Sequence, residues 1–139
     1  MTSAYNSIRA AIEARVLEEM ENPAPYPVAF QNVPFTPPNN SPWVNCSVTF
    51  GDSAYATILG PSTGYNRYSG VVILDIFSPI GIGSGDNYDI GGRLKQVFDR
   101  QAFGNIVFDA ASGPAQVQPA TPESFFQTRL SISFQAHLE

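Results

Sequence analysis

The chain has 139 residues, of which 43% are hydrophobic and 14% charged, with a net charge of −5. At this length one domain spanning 1–139 is expected, burying about two-thirds of its unfolded surface, and the apolar content excludes a disordered tail. Seven scattered basic residues exclude the counterion-releasing patch that tight DNA or RNA binding needs.

A surface so poor in charge, in a chain with ten Phe, suits a protein that buries part of itself against neighbours. Apolar runs such as Val71 to Leu74 are too short to cross a bilayer, and the polar N-terminus carries no signal-peptide apolar region, so the chain reads as cytosolic, with no membrane partner. The single cysteine, Cys46, cannot form an internal disulfide and agrees with a reducing compartment.

In chain order, Thr2 or Ser3 caps a first helix running to about Met20, because Ile8, Ile12 and Val16 recur at four-residue spacing. Arg9 and Glu13 form an i,i+4 pair on another face. The helix stops at Asn22-Pro23-Ala24-Pro25, where prolines remove donors and disfavour helical geometry before them. Val28-Ala29-Phe30 is a short edge strand limited by flanking prolines. Asn32 to Pro42 is a loop, with Phe30, Phe35 and Trp43 pinning it to the sheet.

Trp43 to Phe50 alternates, with Val44, Cys46, Val48 and Phe50 on one face. Gly51-Asp52 predicts a turn, Ala54 to Leu59 a second strand, and Gly60-Pro61-Ser62-Thr63-Gly64 a loop. Arg67 to Phe77, apolar on both faces at Val71-Val72-Ile73-Leu74, is the central strand. After the Gly81 to Asp86 connector, Asp86 caps a second helix bearing Ile90, Leu94, Val97 and Phe98, which Gly91-Gly92 weakens. Ile106-Val107-Phe108 is a strand after Gly104, and Ser112 to Pro122 a loop. Phe125 to Leu138 is the longest alternating run, with Phe126, Thr128, Leu130, Ile132, Phe134 and Ala136 on the dry face. These elements predict an α+β fold, a mostly antiparallel β-sheet with two α-helices packed on one face.

Nothing in the chain carries a catalytic pattern. The glycines before the second helix invite a phosphate-loop reading, but the dinucleotide fingerprint needs Gly where Asp86 stands, the Gly-Lys-Ser/Thr of a Walker loop is missing, and Asp86 and Asp89 repel phosphate. His137 is the one imidazole, next to the C-terminus, and any metal site or Ser-His-Asp triad would depend on it alone. Cys46 falls on the apolar face, where burial suppresses the thiolate. Asp52, Asp75, Asp86, Asp89, Asp99 and Asp109 suit capping and turn roles, and Trp43 suits a packing anchor better than a ligand platform. No catalytic residue, cofactor or metal is expected.

The N-terminal helix, Val28 to Pro38 (VAFQNVPFTPP), Trp43-Val44, Phe50-Gly51-Asp52, and the strand ending Phe77-Ser78-Pro79 before Gly83-Ser84-Gly85-Asp86 together resemble the tail-terminator-like proteins of tailed bacteriophages. Phe98, Phe103-Gly104 and the closing Phe126 to Phe134 strand continue the order over nearly the whole chain. The resemblance implies a small α+β virion protein, assembled in the host cytoplasm, that forms a homo-oligomeric ring, a hexamer, at the head-proximal end of the tail. It implies as partners the major tail tube protein, whose polymerisation the ring would end, and a neck or head-completion protein, with DNA passing through the lumen without specific binding. A ring needs two different complementary patches per subunit. Candidates are the Asp52 to Tyr68 hairpin (Asp52, Gly60, Pro61, Tyr65, Arg67, Tyr68), the Gly81 to Asp86 connector, and intersubunit ion pairs from Arg67, Arg93, Lys95 and Arg129. Two alternatives stand beside this reading: another head-tail connector or neck completion protein, and a small hydrolase using Asp residues and His137.

Overall fold

A computed structural model describes residues 3–21, 25–38, 40–55, 66–118 and 125–138. The first helix, α1 (Ala4–Glu21), begins where the Ser3 hydroxyl accepts the backbone N–H of Asn6 at 3.1 Å, an N-cap on the third helical residue. Its buried stripe is Ile8, Ile12, Val16 and Met20, four-residue spacing throughout. Arg9 bridges to Glu13 at 2.7 Å on the outer side.

Among the described residues seven strands form one sheet: β1 (Val28–Phe30), β2 (Trp43–Tyr55), β3 (Asn66–Pro79), β4 (Ala102–Phe103), β5 (Ile106–Phe108), β6 (Ser112–Val117) and β7 (Phe125–Leu138). The order is β1-β2-β3-β7-β5-β4, with β6 also on β7, and every pairing except β1 with β2 is antiparallel. The central trio sets the rows of the sheet: Val44 faces Ile76, which faces Thr128, and Cys46, Leu74 and Leu130 line up next to them. The fold is therefore α+β with a mostly antiparallel sheet.

Three local expectations change. Gly51-Asp52 is not a turn: β2 runs on to Tyr55, and its register against β3 moves from Phe50↔Gly70 to Ser53↔Tyr68. That is one extra residue in β2, a bulge, which takes turn-type residues without ending the ladder. Residues 56–65, which include most of the expected second strand and its loop, lie outside the described residues.

The expected loop at Ser112 to Pro122 holds a strand instead, β6, paired to β7 from Ser112↔Ser131 to Val117↔Gln127. Its small side chains give no alternation, and pairing is carried by the backbone. Gly113 has φ +100° and lies with its missing Cβ directed at the carbonyl of Arg129, so only glycine fits. The short β4, joined to β5 through Gly104, was not expected.

The second helix, α2 (Gly85–Phe98), starts one residue before Asp86. Ser84 occupies the cap position without a side-chain cap bond, and Asp86 stands in the first turn, where its charge favours the helix dipole rather than capping it. Gly91 has a packing reason, since a Cβ there would stand 2.9 Å from Pro114 Cγ of β6.

Both helices lie on one face. Ile8, Ile12, Val16 and Met20 of α1 and Ile90, Leu94 and Phe98 of α2 close over Val44, Cys46, Val48, Val72, Leu74, Ile76, Leu130, Ile132 and Phe134. Each fully buried aliphatic or Phe side chain here contributes about 1.5–3 kcal/mol. The opposite face carries a separate cluster at one end: Ala29, Trp43 and Phe77, flanked by Phe35 and Phe125.

Candidate assembly surface

The reactive side chains are placed where chemistry is suppressed or dispersed. Burial, and secondarily the charge of Glu13, push the Cys46 thiol up to about 12, so it stays protonated at neutral pH. His137 is half-buried near the end of β7, opposite Arg67, and its backbone N–H goes to the carbonyl of Asn105 at 3.1 Å. Among the described residues no three His, Cys, Asp or Glu converge on a metal-sized site, and no helix is long and apolar enough to cross a membrane.

Of the aspartates assigned to caps and turns, Asp99 behaves as expected, standing at the C-cap of α2, while its carboxylate accepts the N–H of the distant Ala111 at 2.7 Å. Asp75 does not. It sits mid-strand on the helix-free face, 6% exposed, and accepts from Gln127 Nε2 at 2.9 Å and Arg129 Nε at 2.8 Å. The hydrogen bond and charge of Asp75 in turn raise the pKa of Arg129. Cross-strand register explains this, since Asn45, Asp75 and Arg129 form one row.

The candidate interface residues do not form one patch. Asp52 lies in the β2 bulge, while Gly60, Pro61 and Tyr65 fall outside the described residues. Arg67 is exposed on β3, and Tyr68 turns inward, edge-on to Tyr5 at 5.0 Å. Arg93 ties α2 to α1, bonding Glu19 Oε1 at 3.3 Å and the Glu19 carbonyl, with its guanidinium 5.8 Å from the Tyr26 ring centre. Lys95 is exposed in the last turn of α2, where a cation suits the dipole. Arg93 and Arg129 thus have partners within the chain, on opposite sides of the sheet.

What does converge is uncharged. Between the ends of β3, β6 and β7 and the loop before α2 lies a groove of about 880 Å³, walled by Pro79, Ile80, Gly81, Val117, Phe125 and Phe126. Among the described residues no charged side chain lines it. At its rim Ile80 is 65% exposed and Ile82 56%. The sequence carries the signal in retrospect: Ile80 and Ile82 alternate with glycines in a loop, where neither helix nor strand periodicity calls for them.

The helix-free face continues this character. Its rows run Ser47, Ile73, Ser131 and Thr49, Val71, Ser133, small polar and apolar residues beside the neutralised Asp75–Arg129 pair. At the near end Trp43 stacks on Phe77 at 4.2 Å and 12°, with Phe35 at 5.1 Å and Phe125 edge-on at 5.6 Å. Trp43 is therefore the packing anchor expected of it. Such a surface, with the exposed apolar rim at Ile80 and Ile82, suits protein contact.

Comparison with known proteins agrees. One solved structure, of a protein whose name states no function, matches with a TM-score of 0.73 at 23% identity and covers 99% of each chain, a likeness of fold alone. No curated protein matches the sequence. The profile of a family described as phage tail terminator protein matches residues 7–134, from the second turn of α1 to the far half of β7. This chain belongs to the phage tail terminator family, and its role is a structural one in the tail of a bacteriophage.

Proposed function

We propose that the chain assembles into a closed ring, a hexamer, on the head-proximal end of the tail tube, where it stops tube polymerisation and presents a docking surface to the neck. Family membership is the observation that carries this reading, and the surface supports it. A subunit of a closed ring needs two unlike complementary patches, and this one exposes uncharged apolar surface at separate places, Val33 on one flank and Ile80 with Ile82 on the other. With a net charge of −5, the assembly offers DNA no counterion-releasing lining, consistent with passage through a lumen without specific binding.

The test is negative-stain imaging of the purified protein incubated with tail tubes, together with light scattering of the protein alone. A ring at one end of the tube and arrest of further tube-protein addition are expected. A chain that stays monomeric at high concentration and leaves tube ends bare and growing would count against both the ring and the termination role.

A further inference from the structure

We propose that the segment 31–38 of one copy seats in the groove beside Ile80 of a second copy, so that the ring closes ridge into groove. This rests on the ring reading above and adds to it the pair of surfaces that meet.

The ridge is ordered in advance. At its start Gln31 Oε1 accepts the backbone N–H of Val48 at 3.1 Å, and the Val33 N–H turns back to the Phe30 carbonyl at 3.3 Å. Further along, the Phe35 ring lies 5.1 Å from that of Trp43. Between these two anchors Val33 is 56% exposed and Pro34 is exposed, while Pro34, Pro37 and Pro38 each fix one backbone angle. A segment already held in shape loses little entropy on docking.

Strand addition is a poor alternative at this flank. The edge strand β1 has three residues, with Pro27 before it and Pro34 soon after, leaving little backbone to pair. Contact there must be made by side chains.

The groove has the matching chemistry. Its volume of about 880 Å³ and its walls of Pro79, Ile80, Val117 and Phe125 suit a proline-bearing apolar segment that leaves a turn at residues 31–33, proline-bearing segments being a kind of ligand that aromatic-lined grooves hold well. Charge supports the match: residues 22–51 contain no Asp, Glu, Lys or Arg, and among the described residues no charged side chain lines the groove, so docking of these surfaces strips no described ion of water without a partner. The exposed Leu17 of α1 is a weaker occupant, with Glu13, Glu18 and Glu21 as helical neighbours.

Placement supports closure. The ridge hangs from the β1 edge, and the groove opens among the ends of β3, β7 and β6, beyond β2 in the sheet. An aromatic row joins them, Phe35 to Trp43 to Phe77 to Phe125 at 5.1, 4.2 and 6.2 Å. That row fixes the angle between the two patches, and in a head-to-tail assembly this angle sets whether the ring closes.

Cysteine cross-linking tests the pairing. Val33→Cys and Ile80→Cys are surface changes, and the buried Cys46, its thiol pushed up to about 12, stays out of the reaction. On mild oxidation, or with a short bis-maleimide, the double variant should form a ladder of covalent oligomers. A mixture of the two single variants should stop at the dimer, and either single variant alone should give none. Ile80→Asp should abolish the association with no change in circular dichroism. If rings form on tube ends but no ladder appears, or if Val33→Cys links to itself, the pairing is wrong while the ring reading survives. Capture of tube protein by Ile80→Cys would reassign the groove to the tube and overturn the inference, whereas bare tubes and a monomer in solution would remove the ring itself.

Discussion

The helix-covered face of the sheet is a continuous apolar core, with Leu74, Ile76, Leu130 and Ile132 at 0% exposure beneath two helices. The opposite face is dry only at one end, where Trp43 stacks on Phe77 with Phe125 edge-on to both, and farther along it shows serine, threonine and valine rows to the outside. The first face is complete within one chain. The second is furnished like the first at its anchoring end, and beyond it carries small polar and apolar side chains with no helix over them. Period-two alternation makes this division possible, because successive side chains of a strand point to opposite faces.

The largest effect should come from breaking the first face. Phe134→Ala removes a 1% exposed ring that meets Phe50 and Phe108, and should cost about 3–5 kcal/mol, read as a large drop in calorimetric Tm. Trp43→Ala is its counterpart on the second face. It should cost about 3 kcal/mol and also abolish ring formation at temperatures where the monomer stays folded, because it cuts the row that links ridge to groove. Trp43→Phe sharpens the comparison: Trp43 Nε1 is buried without a hydrogen-bond partner among the described residues, so Phe should hold stability within about 1 kcal/mol and preserve assembly. If Trp43→Ala leaves assembly intact, the second face has no such role.

Much of the first face could be read from the sequence and little of the second. Ile8, Ile12 and Val16 gave α1 by spacing, Ile90, Leu94 and Phe98 gave α2, and the alternation from Phe125 to Leu138 coincides with the bounds of β7. In each case a repeating burial demand recurs several times within one element. The bulge at Gly51-Asp52 and the strand β6 leave no such trace, since both are decided by backbone pairing to a distant partner. Asp75 suits a cap or turn by sequence, because its partners Arg129 and Gln127 are brought to it only by register, just as register sets the carbonyls of Ile76 and Phe126 that hold Asn87. The candidate site follows charge and loops, and two of its arginines, Arg93 and Arg129, pair with Glu19 and Asp75 within the chain. Of the hydrophobic rim, Ile82 lies within the Gly81 to Asp86 connector and Ile80 just before it, and neither stands out in the sequence, because an apolar residue in a loop is informative only once its exposure is known.

A middle-sized effect belongs to the polar anchor between helix and sheet. The Asn87 amide, fully buried, donates to the Ile76 carbonyl at 2.9 Å and to the Phe126 carbonyl at 3.3 Å. It fixes the first turn of α2 over β3 and β7, just behind the groove. Asn87→Ala should cost about 1–3 kcal/mol in urea unfolding, and should raise hydrogen exchange in the first turn of α2 before it affects α1. Equal loosening of both helices would mean that the anchor is global rather than local.

The smallest effect at neutral pH, and the most direct check that the helix-covered face excludes water, is the titration of Cys46. Its thiol is pushed from 9.0 to about 12 on folding, chiefly by burial. Because the folded pKa lies above the unfolded one, the contribution is fully present below pH 9, where both states hold the proton. It is lost as pH rises from about 9 to about 12, where the unfolded chain releases the proton and the folded chain keeps it. The slope in that window is about 1.4 kcal/mol per pH unit. Between pH 8 and pH 10, wild-type protein should therefore lose about 1 kcal/mol more unfolding free energy than Cys46→Ala, a difference that cancels the other titrating groups common to both. The native thiol should also resist alkylation at pH 8 and react once urea unfolds the chain. Prompt alkylation of the folded protein would show that water reaches the row formed by Cys46, Leu74 and Leu130, and the contrast between a sealed face and an open one would then fail at its centre.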